Sequence, residues 1–143
     1  MLAGQLALVT AALFAGAAFY VGAAEHPARL QLDDRATLTQ WKPAYARGAV
    51  MQASLAIAGF LLGALAWWQT GRWLWLAGAL VLVANWPYTL VCIMPTNNKL
   101  KATDPAQAGA QTRALLEKWG TLHAGRTALG IASMLIFLWA SIV

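Results

Sequence analysis

The chain has 143 residues, of which 60% are apolar and 10% charged, and it carries a formal net charge of +5. Globular chains run to about 45 to 50% apolar and about 25% charged, and a domain this small leaves much of its surface exposed, so the composition excludes a water-soluble fold and requires a bilayer. The same numbers exclude intrinsic disorder, and the single cysteine, Cys92, excludes a disulfide framework. Nucleic acid is not an expected partner either, because the cations lie between apolar blocks rather than in a patch with stacking aromatics.

Four apolar blocks follow in chain order, about residues 2–24, 48–69, 73–95 and 119–143. Each reaches the roughly 20 residues of helix that cross a hydrocarbon core, which predicts a single all-α domain, a bundle of four transmembrane helices. Barrel strands would be about ten residues long with alternating faces. No Lys or Arg precedes the first block, which is therefore read as a retained helix rather than a signal peptide. Ala12 with Gly16, Gly59 with Gly63, and the row Gly120, Ala124, Ala128, Ala132 have the four-residue spacing of close helix contacts, and the Gly59 pair also raises a homo-oligomer. Pro87 is expected to kink the third helix and Pro95 to close it.

The loops carry the charge. Arg29, Arg35, Lys42 and Arg47 lie in the first, Lys99, Lys101, Arg113 and Lys118 in the second, and only Arg72 in the short turn between the middle helices. The positive-inside rule then puts both long loops in the cytoplasm and both termini outside, in a bacterial inner membrane, with Trp67, Trp68, Trp73 and Trp75 as an outer aromatic belt. Asp33, Asp34 and Asp104 are possible caps for short helices over Arg35 to Tyr45 and Pro105 to Lys118, lying across the cytoplasmic mouth.

Several polar residues exceed what a membrane span needs. His26 precedes Pro27 and follows Glu25, so it is expected where the first helix ends. Trp119, His123, Arg126 and Gly130 are spaced four, three and four apart and share one helical face. Arg126 lies about 10 Å inside its apolar block, where a cation must snorkel, pair with Glu25 or Glu117, or serve a site. Asn85, Tyr88, Thr89, Cys92 and Thr96 form a stripe on the third helix, followed by Asn97 and Asn98, and Gln52 and Trp41 with Tyr45 reach the same depth. Together these define an expected half-buried pocket at the cytoplasmic side. His123, His26, Arg126 and Glu25 are its candidate catalytic groups, and Trp119, Asn97, Tyr88, Asn85, Gln52 and Trp41 its candidate substrate contacts.

The runs GAAFYVGAAEHPAR, NWPYTLVCIMPTNNKL and WGTLHAGRTALG resemble the anthrone oxygenase-like family of integral membrane proteins over nearly the whole chain. The most specific pieces are Met94-Pro95-Thr96-Asn97 and the set Trp119, Leu122, His123 and Arg126, with Glu25-His26-Pro27 in support. The resemblance implies a four-helix membrane protein, and its fungal members are associated with oxidation of anthrones to anthraquinones. Such a reaction starts by deprotonating an activated methylene, for which histidine is suited, and an enolate can then reduce dioxygen, so neither metal nor haem is required. Two other readings stand beside it. One is a metal or haem redox protein with His26 and His123 as ligands; the other is a small transporter or accessory subunit, in which the acids would be expected inside a helix rather than at helix ends and in loops.

Overall fold

A computed structural model describes residues Met1–Val143. It contains four long helices and no strands: α1 (Leu2–Arg29), α2 (Asp34–Thr70), α3 (Trp73–Ala102) and α4 (Ala110–Ile142), each with an apolar stretch long enough to cross a membrane. Short connections make chain neighbours antiparallel, and α1 also packs on α4, which closes the ring. The chain is thus an all-α integral membrane bundle.

Each helix outruns its apolar block, always at the end that holds the α1–α2 and α3–α4 connections. The 37 residues of α2 measure about 55 Å, against a hydrocarbon core of roughly 30 Å. Arg35 to Tyr45 is therefore helical but is not a separate lid: it forms the first turns of α2. Most of the segment before Lys118 likewise belongs to α4, leaving only a 3₁₀ turn at Pro105–Gln107. The reason is a continuous buried seam. On α4 it runs Thr112, Leu116, Trp119, His123, Arg126, Gly130, Ser133, Phe137, Ala140, alternating steps of four and three as in a coiled coil, and breaking the helix would interrupt it.

The seam encloses two apolar cores. One, around Phe14, Trp75, Leu82 and Phe137, fills the end near the termini; the other, around Leu38, Trp41, Leu100, Leu116 and Trp119, fills the connection end. Between them lies a buried polar belt of Gln52, Asn85, His123 and Arg126. Trp75 belongs to the first core, 5.8 Å from the Phe137 ring, and so leaves the expected aromatic belt; Trp67, Trp68 and Trp73 are exposed. The small-residue spacing marks some helix contacts and not others. Gly59 and Gly63 are buried inside the bundle against Leu82 and Phe137, while Ala12, Gly16, Ala124 and Ala128 face outward. Alanine is too abundant in this chain for spacing alone to mark an interface.

Two of the prolines act otherwise than expected. Pro95 does not close α3, and the helix does not end at His26; each of Pro27 and Pro95 instead follows a π turn, Val21–Glu25 and Thr89–Ile93. Proline lacks an N–H and its ring clashes with the carbonyl four residues back, here Ala23 or Val91, and a widened turn moves that carbonyl aside. The extra residue rotates everything downstream by about 100°. Ala18 and Glu25, seven apart, would share a face in a regular helix; the π turn gives that face to His26. In α3 the same shift buries Ile93 and turns Cys92 out of the polar stripe. Pro87 does disturb α3, which breaks at Ala84.

The polar connections are tied down. Asp33 caps α2 through Ala36 N (2.8 Å), and Asp104 caps the 3₁₀ turn through Ala106 N (2.9 Å). Asp34 is not a cap; it pairs with Arg113, whose guanidinium also donates to the carbonyls of Leu30 (2.7 Å) and Leu32 (2.6 Å). Lys42 donates to the carbonyls of Lys101 (2.9 Å) and Thr103 (2.6 Å) at the end of α3, where a cation also meets the helix dipole favourably.

Candidate functional site

The π turn in α1 directs His26 against α4. Its Nε2–H donates to the carbonyl of Leu116 (2.9 Å), and its Nδ1 accepts from Arg29 Nη1 (3.0 Å). A carbonyl and a guanidinium permit only that assignment, so His26 is held neutral with both ring nitrogens in use. Arg29 in turn donates to Glu25 Oε1 (3.0 Å), which also accepts from Gln40 Nε2 (3.1 Å). Gly120 makes this packing possible: a Cβ there would lie 2.7 Å from the His26 ring. Gly120→Ala is expected to displace His26 and break its bond to Leu116, destabilising the protein by about 1 to 3 kcal/mol. Thermal unfolding in detergent is the check, and an unchanged midpoint would mean that the contact is slack.

His123 is held differently. Its Nε2–H donates to the Ala18 carbonyl (3.0 Å), where α1 approaches α4, and its Nδ1 has no protein partner. The Trp119 indole stacks on it at 5.0 Å and 18°, lies 5.1 Å from the His26 ring and meets Trp41 edge-on at 5.9 Å. The lone pair of Nδ1 is therefore free, on a ring whose tautomer and plane are set by the bundle.

Arg126, one turn further, is 9% exposed and has neither a carboxylate partner nor a hydrogen bond; the pairing with Glu25 or Glu117 does not form. Its guanidinium lies over the Phe14 ring at 5.7 Å, and its Nε is buried without an acceptor. Two adjoining cavities meet at this residue. The larger, about 150 Å³, lies between α2 and α3 and is lined by Tyr45, Ala53, Asn85, Thr89, Met94 and Arg126, among others. It reaches the outer surface of the bundle at Trp86 and Leu90, which are exposed. The smaller, about 30 Å³, is lined by Glu25, Arg29, Gln52, Trp119, His123 and Arg126, with Tyr45 shared.

The structure thus gathers Glu25, Gln52, Trp119, His123 and Arg126 at one cavity, and Asn85 with Arg126 at the other. It does not bring the remaining residues to either. His26 sits behind Trp119. Trp41 is fully buried, stacked on Tyr45 at 4.7 Å. Tyr88 donates to the Leu122 carbonyl (2.7 Å), seated over Gly125, and so joins α3 to α4. Asn97 donates to the Tyr45 hydroxyl (2.9 Å) and positions that ring. Asn85 is oriented by its Nδ2, which donates one hydrogen to Leu82 O (3.0 Å) and leaves Oδ1 as a buried acceptor without a partner. Arg29 and Gln40 are the partners of Glu25 that spacing left aside, although Arg29 lies four residues from Glu25. For a metal, the geometry provides no grouping of three or more His, Cys, Asp and Glu, and ligation through His26 Nδ1 would displace Arg29 Nη1.

Fold and site define a membrane-embedded four-helix bundle with a buried polar centre that opens sideways through its wall. The family model described as anthrone oxygenase matches residues 41–136. An anthrone oxygenase of Claviceps purpurea (strain 20.1) is 33% identical over 146 residues, covering 92% of this chain and 83% of that protein. No solved structure matches. The chain belongs to the anthrone oxygenase family.

Proposed function

We propose that the protein is an oxygenase that takes an anthrone-like or other hydrophobic phenolic or quinol substrate from the bilayer, with His123 as base, Arg126 as oxyanion partner and dioxygen as oxidant. The observation that carries this reading is Arg126: a buried guanidinium with no anion of its own, at a cavity wall one turn from an imidazole with a free lone pair. Burying such a cation costs free energy that bundle packing does not return, whereas an oxyanion that appears only during reaction makes use of it.

The larger cavity suits a flat ring system entering between α2 and α3, with its reacting edge carried past Arg126, where the two cavities meet, to His123 on the smaller one. Its volume is below the roughly 300 to 1,000 Å³ of enclosed drug-sized sites, so part of the ligand stays between Trp86 and Leu90 at the lipid flank. Asn85 Oδ1 accepts from a phenolic hydroxyl near the carbonyl that Arg126 receives. His123 Nδ1 removes a proton from the methylene, and the enolate transfers an electron to dioxygen. The resulting radicals join in a C–O bond, giving a hydroperoxide once protonated. Loss of the second proton from that carbon, with O–O cleavage, leaves a ketone and water. One oxygen atom enters the product and the other leaves as water, so no external reductant or cofactor is needed.

The test is oxidation of anthrone under ¹⁸O₂ by the purified protein in lipid nanodiscs. One labelled oxygen is expected in each anthraquinone, at a rate far above that of buffer with empty nanodiscs; a rate equal to that control would end the reading. In the same reading the protein lies in a bacterial inner membrane with its termini outside and the connection end cytoplasmic, as its Lys and Arg residues favour. A reporter fused after Val143 is then expected to be active only as a periplasmic type, and cytoplasmic activity would invert the topology.

A further inference from the structure

The small cavity beside His123 has its own chemistry. Gln52 Oε1, Trp119 Nε1, Arg29 Nε and Arg126 Nε, all from residues that line it, are buried without a protein partner. Gln52 Oε1 only accepts and the three nitrogens only donate, and water, which does both, is chemically matched to each. A cavity needs about 10 to 15 Å³ and two to four polar partners to hold a water, and here about 30 Å³ meets both conditions. At its outer end stands Glu25, 24% exposed. Arg29 and Gln40 both donate to its Oε1, which leaves Oε2 free.

Resting on the oxygenase reading, we propose that this cavity is a water-filled relay through which His123 exchanges protons with Glu25 and the aqueous phase, and through which the water formed in each turnover leaves. The carbon that becomes the ketone loses two protons, one after the other, yet only one base faces the substrate. The His123 imidazolium must be emptied between these removals. Its first proton passes over water to Glu25 Oε2 and out. An equivalent proton enters to complete the hydroperoxide, and the second proton, taken up by His123, goes to the departing hydroxide, so the net reaction still releases none. The larger, largely apolar cavity admits the ring system and the small polar one handles protons and water, and the two meet at Arg126.

Gly48 gives access to the relay without touching the reacting groups. It lines the small cavity, and a Cβ there meets nothing within 4 Å, so Gly48→Leu is expected to narrow the space without displacing a neighbour at its Cβ. The first measurement needs no substrate: radiolytic footprinting in nanodiscs, in which ordered internal water oxidises the side chains that it touches. Trp119, 5% exposed, is expected to be labelled much faster than Trp41, which is fully buried and lines neither cavity, and Gly48→Leu is expected to abolish most of the difference. Equal, slow labelling of both in the wild type would show a dry cavity and overturn the proposal. The second measurement is anthrone turnover. Glu25→Gln keeps an acceptor for Arg29 and is expected to lower turnover about a hundredfold, the low end for a positioned proton-transfer group. Added imidazole should partly restore that rate, which it would not do for a structural defect. A hydrated cavity with wild-type turnover in Glu25→Gln would overturn the relay alone; a hydrated cavity in a wild-type protein that does not oxidise anthrone would overturn the oxygenase reading and the relay with it.

Discussion

Arg126→Leu is expected to make the protein more stable while strongly lowering its turnover. The guanidinium is buried with no carboxylate, and its contact with the Phe14 ring returns at most about 2 kcal/mol. Replacing buried charge by apolar volume commonly stabilises by about 1 to 4 kcal/mol, and here the leucine would continue a seam that, His123 apart, is otherwise apolar or small. Activity moves the other way, because losing a preorganised oxyanion partner costs about 10²- to 10³-fold in rate. Arg126→Lys keeps the charge but not the planar fork and should fall between the two proteins in activity. Thermal unfolding in detergent and anthrone oxidation on the same samples check both directions. A leucine variant that melts earlier than the wild type would make Arg126 a structural residue and remove the oxyanion partner.

The second large effect separates the histidines. His123→Gln retains a donor for the Ala18 carbonyl and should stay folded, yet it lacks a basic nitrogen at the cavity, so turnover is expected to fall about 10²- to 10⁴-fold. His26→Ala should act mainly on stability, by about 1 to 3 kcal/mol, since it removes the partner of Arg29 Nη1 and the donor to Leu116 O in a buried network. A shared metal or haem would erase that contrast. If both variants lost the same bound chromophore or metal along with activity, the base assignment to His123 would be wrong.

Much of the site was legible from spacing on one helix. Trp119, His123 and Arg126 share a face because the α4 seam runs unbroken through them, and the three- and four-residue steps are visible without a partner helix. Positions on other helices were harder. Gln52 and Asn85 reach the polar belt at the depth their sequence positions imply, whereas Asn97, four residues beyond the second π turn, turns away to hold Tyr45. Nothing in the residues around Pro27 and Pro95 says whether a proline ends a helix or is absorbed by a widened turn. That choice depends on whether the segment beyond has something to pack against, and Leu116, Trp119 and Trp41 provide it.

Membrane residence and the count of four helices follow from composition and block length alone. Transfer of an apolar side chain out of water is nearly independent of its neighbours, so those properties accumulate residue by residue along the chain. Function hangs on quantities of another kind. Which imidazole keeps a free nitrogen, which end of the Asn85 amide faces the cavity, and whether Glu25 or His26 points inward are set by rotations of whole helices about their axes and by carbonyls on neighbouring helices. One inserted residue turns a helix by about 100°, enough to exchange an inward side chain for an outward one. Only the packed bundle, in which the Leu116 and Ala18 carbonyls each occupy one histidine nitrogen, distinguishes the histidine that supports the fold from the one left free to take a proton.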